Sequence, residues 1–273
     1  MASTTNAKSD TRFQALAEMV TVIESANVRN VMSSNIEWTD ATWNPATGCS
    51  KVSPGCKNCY AETLSIRLKA MKQKKYVNGF KYTEHEEELQ KPIHWKKPRM
   101  IFVNSMSDLF HEDATDSFID AVFEIMMTNH RHTYQVLTKR PKRMREFVDK
   151  FISVRGGLHE IPKHIWLGTS IENKDVMHRL DELKNVKCKI KFVSFEPLLE
   201  MVMPDLEGIN WAIVGGESGA HARRIEKDWI QIIQKLCTLH DTAFFFKQWG
   251  GRFPKERGSL LDGKKYQEFP KID

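Results

Sequence analysis

The chain has 273 residues, 41% of them hydrophobic, and a formal net charge of +6. That length and apolar fraction allow a substantial core in one large α/β domain or two small ones, and the basic balance suits either a polyanionic partner or simply a soluble surface. No apolar run approaches the roughly 18 residues of a membrane helix, and the polar start with Asp10 fits neither a secretory signal nor a basic transit peptide, so a cytoplasmic, reducing location is expected.

Residues 1 to about 11 read as disordered. Phe13, Leu16, Ala17, Val20 and Ile23 then recur at helical spacing, which gives an N-terminal extension over 1–34 with one amphipathic helix. The remainder, 35–273, is expected to form one domain. A short strand is predicted at Ile36 to Trp38, ahead of the run TGCSKVSPGCKNCYAE, in which Cys49, Cys56 and Cys59 are spaced C-x6-C-x2-C. Glycines and Pro54 shape that loop, and a helix starts at Tyr60.

Three thiolates in one loop point to metal chemistry. A structural zinc site closes its sphere with four protein ligands, whereas a [4Fe–4S] cluster on three cysteines keeps one iron open to a substrate or cofactor. Two other readings stand beside the cluster: a zinc knuckle completed from afar by His85, His94 or His111, and a disulfide, which the missing secretory signal disfavours. Cys188 and Cys237 lie in apolar surroundings and read as buried small hydrophobes. Asp40 and Trp43, just ahead of the loop, would shield a cluster or pack beneath it, and packing is the better reading of Trp43.

Residues 72–98 mix dense charge with Tyr76, Phe80, Tyr82 and Trp95. Basic residues among aromatics suit stacking on exposed bases, but Glu84, Glu86, Glu87 and Glu88 would repel phosphates, so a solvated insertion with a few packed aromatics is the better reading. From Met100 onward, short apolar strands alternate with helical segments. Strands are predicted at 101–103, 133–138, 164–169, 191–195, 211–215 and 243–247, and helices at 116–128, 141–152 and 228–239. Each strand ends in polar or glycine residues: Asn104, Ser105, Ser107 and Asp108; Lys139 and Arg140; Ser170 and Glu172; Glu196; Gly215, Gly216 and Glu217; Lys247 and Gln248. In a parallel barrel, or in an open doubly wound sheet, that end carries the site.

The strings IEWTDATWNPATGCSKVSPGCKNCYAE, IFVNSMSDLFHED, VLTKRP, WLGTSIEN, FVSFEPLL, WAIVGGESG and FFFKQWGG, spread from about Ile36 to Phe269, resemble a phage-borne protein family of unknown function named after gene products thirty-seven and sixty-eight. That family is distantly similar to radical S-adenosylmethionine (SAM) enzymes. The usual spacing there is C-x3-C-x2-C with an aromatic residue just before the last cysteine. Here the first gap is longer, Asn58 stands at the aromatic position, and Tyr60 follows the last cysteine.

The resemblance implies a partial (βα) TIM-type barrel, radical SAM-like, with a [4Fe–4S] cluster on Cys49, Cys56 and Cys59. SAM would chelate the open iron, and an electron from the reduced cluster would cleave it to a 5′-deoxyadenosyl radical. By position, Asn104, Ser105, Ser107 and Asp108 would contact the amino group of SAM, Ser170 and Glu172 the ribose, and Gly215, Gly216 and Glu217 the adenosine. Lys139, Arg140, Arg223 and Lys247 are cationic candidates for a substrate phosphate or carboxylate, each with an ordinary salt bridge as its alternative.

The leading expectation is a radical SAM-like enzyme acting on a nucleic acid or nucleotide and served by an electron donor. The alternative is a zinc-stabilised nucleic-acid-binding or scaffold protein that works with a protein encoded nearby. A third reading, a hydrolase pairing two of Glu172, Glu196 and Glu217 as acid and base, leaves the cysteine loop unexplained.

Overall fold

The computed structural model describes residues 36–272. The helix expected over residues 13 to 23 lies outside them. Ile36 to Trp38 are not the first strand. The chain turns there, Thr39 donating its backbone N–H to Ile36 at 3.2 Å, and pairing with the neighbouring strand begins only where Asp40 exchanges bonds with Met100. The first strand, β1, is therefore Ala41–Trp43, and Trp38 is left free to bury its indole.

Two two-residue strands, β2 (Ala46–Thr47) and β3 (Thr83–Glu84), pair antiparallel. They are followed by β4 (Met100–Val103), β5 (Thr133–Thr138), β6 (Ile161–Ser170), β7 (Cys188–Phe195), β8 (Trp211–Gly215) and β9 (Ala243–Gln248). With β1 these six form a seven-stranded sheet in the order β1-β4-β5-β6-β7-β8-β9, every neighbouring pair parallel. β1 and β9 stay apart, so the sheet curls into a partial barrel. The crossover helices include α1 (Tyr60–Ala70), α2 (Asp116–Thr128), α3 (Pro141–Ser153), α4 (His178–Lys184) and α5 (Lys227–Leu239). Local chemistry sets their starts: Thr115 accepts from the Phe118 N–H at 3.2 Å to cap α2, and Pro141, with no N–H to satisfy, opens α3.

Alternation along each strand divides the core in two, which is why the strands read as unbroken apolar runs. Ile101, Val103, Val136, Leu167, Val193, Val214 and Phe246 face the helices and meet Phe118, Val122, Phe147, Ile230 and Ile233. Phe102, Trp166, Ile190, Phe192, Trp211, Ile213 and Phe245 face inward and close on Trp38. Trp211 is the hub of this inner tier, with ring centroids 5.6 Å from Trp166, 5.9 Å from Phe245 and 5.2 Å from the stacked Phe269. Further along the same inward positions, the side chains become Ser170, Ser194, Glu196 and Lys247. The interior is thus apolar below, apart from the buried Gln135 whose amide donates to the Trp38 carbonyl at 3.2 Å, and polar toward the C-terminal ends of the strands.

The charged insertion docks on the barrel through its aromatics. Tyr82 stacks on His111 with centroids 4.6 Å apart, Trp95 meets His132 edge-on, and the Trp43 indole donates to the Glu88 carbonyl at 2.8 Å. Trp43 is buried in the core, as packing requires. Among the described residues, no helix is long and apolar enough to cross a membrane.

Candidate active site

The cysteine loop lies over the C-terminal end of β4. Gly48 bridges to Ser107 and donates to the Met106 carbonyl at 3.0 Å, and the Cys49 N–H bonds the Phe80 carbonyl at 3.0 Å. All three loop cysteines are free and half-buried, whereas Cys188 and Cys237 are buried in the core, where desolvation pushes both thiols up to about 12.

Side chains from three different strand ends hold the loop. At its start, Arg140 reaches the Ser50 hydroxyl at 2.7 Å and the Cys49 sulfur at 3.8 Å, and is itself fixed by Asp108 at 3.1 Å. Between Cys49 and Cys56, the carboxylate of Glu172 accepts from the Ser53 hydroxyl and from the Gly55 N–H at 3.2 Å. Between Cys56 and Cys59, the Asn58 amide donates to Glu217 at 2.9 Å and to the His221 carbonyl at 2.9 Å. A side chain at residue 55 would collide with Glu172, since a Cβ there would lie 2.7 Å from its oxygen, so glycine is what lets the carboxylate approach the loop.

These contacts answer where the expected cofactor residues stand. Glu172 is fully buried and also takes an ion pair from Arg179 at 3.0 Å, so its carboxylate is engaged by the loop and by the arginine. Glu217 accepts from the backbone N–H, Nε and Nη2 of Arg223. Asp108 accepts from the Phe110 N–H, the Thr138 hydroxyl, the Lys139 N–H and Arg140. Ser105 donates to Asn44 at 3.2 Å and Ser107 to the Ala46 carbonyl at 3.0 Å, which fastens the β1–β2 segment beneath the cysteines. Gly216 packs tightly on the Trp249 backbone, where a Cβ would lie 2.2 Å from the carbonyl oxygen. Asn104, at φ 57, accepts from the Ala46 N–H at 3.2 Å, and its buried Nδ2 has no hydrogen-bond partner among the described residues. That donor suits an acceptor such as a carboxylate better than an amino group.

Of the four cationic candidates, Arg140 and Arg223 are engaged as described, and Lys139 makes no ion pair among the described residues. Lys247 alone sits on the inward face, where its ammonium meets Glu196 at 2.6 Å. Gln248 bonds the Ser218 hydroxyl at 2.6 Å and lies 3.4 Å from the same Glu196 oxygen. The Tyr60 hydroxyl donates to the Ser105 carbonyl. Solvent reaches 56% of Tyr60, yet desolvation, then the nearby Cys59 and Glu196, push its phenol pKa upward. The ring is thus open to solvent while its hydroxyl is tied to the segment that follows β4.

Of the loop struts, Ser53 and Arg179 went unassigned in the sequence, Gly55 was read only as shaping the loop, and Asn58 only as standing where an aromatic residue is usual. The only signal for the buried Glu172–Arg179 pair was a carboxylate and a guanidinium one short helix apart.

The donor set can be tested against the two metals. Zinc needs every donor within bonding distance, about 2.0–2.3 Å, of a single point. Among the described residues, no three His, Cys, Asp or Glu side chains are gathered to hold one ion. His85 is taken by the Thr47 hydroxyl at 2.8 Å, and His111 by the Ser50 hydroxyl at 3.0 Å and the Tyr82 ring. Three free, half-buried thiols on one loop are the donor set that a polynuclear cluster, with its thiolates on different irons, would use. Burial, then Asp108, push the Cys49 thiol up to about 11 despite Arg140.

A parallel partial barrel carrying a three-cysteine loop over the C-terminal ends of its strands defines the class. The chain belongs to the family described as protein of unknown function (DUF5131), whose model matches residues 33–270. No curated protein matches it. Solved structures that it resembles include spore photoproduct lyase complexed with dinucleoside spore photoproduct, at 15% identity and a TM-score of 0.44. A doubly substituted form of that lyase, with bound AdoMet and dinucleoside spore photoproduct, gives 14% and 0.45. In both, 75% of this chain is covered, and the chain spans 62% of the lyase's length. Likenesses this distant leave the function to the chain's own geometry.

Removing the Glu172 carboxylate would leave Arg179 buried without its partner. Glu172→Ala should lower unfolding stability in urea by about 3–5 kcal/mol. At Glu217, burial raises the carboxyl pKa, but hydrogen bonds from Arg223 and Asn58 outweigh it and hold the group below its usual range. A depressed folded-state pKa contributes stability above the unfolded value, and that stability is lost as pH falls through the folded value. Arg223→Met should therefore cost on the order of 1–3 kcal/mol at neutral pH, with the gap to the parent closing in acid, as read from urea unfolding between pH 7 and pH 3.

Proposed function

We propose that this protein is a radical SAM-type iron–sulfur enzyme acting on a nucleotide or nucleic acid. The observation that carries the reading is the placement of three half-buried thiols on one loop, fixed by side chains from three strand ends, over the open mouth of a parallel partial barrel. Cys49, Cys56 and Cys59 would hold the cluster, which when bound supplies the electron for reductive cleavage of SAM.

The chain's own residues do the rest. Glu172, Asn58 and Arg140 would keep the thiols in place, and Arg140 would also set the charge beside Cys49. The polar residues of the mouth orient what binds there, while the tryptophan-rich tier below excludes water from beneath. The unpaired Asn104 amide offers a donor to a carboxylate such as that of SAM. The net charge of +6 supports an anionic substrate, and an external electron donor is required.

Anaerobic purification followed by iron, sulfide and zinc analysis tests this reading. Iron and sulfide near four each per chain, with an electron paramagnetic resonance signal that changes on adding SAM, are the expected result, and stoichiometric zinc without sulfide would overturn it. Cys56→Ala should abolish cluster loading. Arg140 places a positive charge beside the Cys49 sulfur and so favours the reduced, more negative cluster. In the protein that loads its cluster, Arg140→Met should move the midpoint potential downward by the tens of millivolts that correspond to about 1 kcal/mol of charge interaction, as followed by a spectroscopic redox titration.

A further inference from the structure

One group of polar side chains in the mouth takes no part in holding the cysteine loop. Glu172, Glu217 and Asp108 are each saturated by loop, arginine or backbone donors. Glu196 is different. One of its oxygens takes the Lys247 ammonium at 2.6 Å and lies 3.4 Å from the Gln248 amide, and the other has no hydrogen-bond partner among the described residues. Lys247 spends one of its three N–H donors on that bond. Both side chains are 20% exposed, so the unused acceptor and donors are open to a ligand.

The backbone is shaped for this pair. Glu196 and Lys247 continue the inward positions of Phe192 and Phe245, on strands separated only by β8. Between them lies Gly215, where a Cβ would press on Glu196 at 3.3 Å, and where the register with β9 shifts. At the mouth stands Tyr60, adjacent to Cys59 in sequence, its ring exposed and its hydroxyl tied to the Ser105 carbonyl just past β4.

We propose that Glu196 and Lys247, with the Tyr60 ring, form a nucleobase-binding site, an inference that rests on reading the mouth as the active site. A carboxylate beside an ammonium is formally neutral, so it makes a poor phosphate site: Glu196 would repel the anion that Lys247 attracts. The pair complements a neutral planar edge with a hydrogen-bond acceptor next to a donor. Each nucleobase carries such an edge, which Lys247 would meet at the acceptor and Glu196 at the donor. An exposed aromatic ring tied at its hydroxyl offers a stacking surface at little entropic cost. Phosphates of the same substrate would be left to basic residues outside the mouth.

The test is calorimetric titration of guanosine, cytidine and uridine into anaerobically purified protein, with SAM absent and then saturating. At least one nucleoside should bind in both conditions, and Glu196→Gln and Lys247→Met should each weaken it by about tenfold or more. Tyr60→Leu should weaken all nucleosides alike. No nucleoside binding, binding unchanged in both charge variants, tighter binding of inorganic phosphate than of any nucleoside, or displacement by SAM would each overturn the proposal, the last by giving the pair to the cofactor. Circular dichroism confirms that the variants fold. Iron and sulfide assayed in the same samples keep the two failures apart: a missing cluster overturns the functional reading, whereas a loaded protein indifferent to nucleosides overturns only this inference.

Discussion

A carboxylate with no solvent exposure, Glu172, joins the cysteine loop to the barrel. Its ion pair with Arg179 compensates the burial of both charges, and its other oxygen takes the Ser53 hydroxyl and the Gly55 amide from the loop. Loops with glycine and proline have little to pack and are ordinarily the least stable part of a fold. Here the middle of the loop is tied to a residue that follows the fourth strand of the sheet, so the loop is ordered at the cost of placing a charge pair inside the protein. The Asn58–Glu217–Arg223 and Ser50–Arg140–Asp108 chains repeat the device at either side.

This division of labour sorts the strand-end residues by what their polar atoms already do. Asp108, Glu172 and Glu217 look alike in sequence, each an acidic residue just past a buried strand. Their hydrogen bonds show that they serve the loop from outside, while Glu196 and Lys247, two inward positions beyond Ser194 and Phe245, face the open mouth. A carboxylate already accepting several hydrogen bonds has little left to offer a ligand.

Much of the fold was legible because its strands are buried on both faces. The runs at 133–138 and 211–215 carry apolar residues at both parities and match the observed strands to the residue. The short strand before the cysteines was misplaced by five residues, since the apolar Ile36 and Trp38 fill the barrel interior from a turn and only Ala41 to Trp43 find a partner strand. The convergence of polar residues at one end followed from parallel topology alone. Which of them hold the loop and which face the mouth did not, because that depends on contacts between residues far apart in the chain: 119 positions separate Ser53 from Glu172 and 159 separate Asn58 from Glu217.

The stacking of Phe269 on Trp211 bears on how the molecule comes together. Trp211 touches Trp38 from one side of the described chain and Phe269 from the other, so the interior tier is completed by residues from nearly opposite ends of the sequence. Contacts of such long sequence separation are entropically expensive to close and form late. Burial of the Trp211 ring therefore depends on a segment that no local strand pairing brings near, which ties completion of the interior to a non-local step.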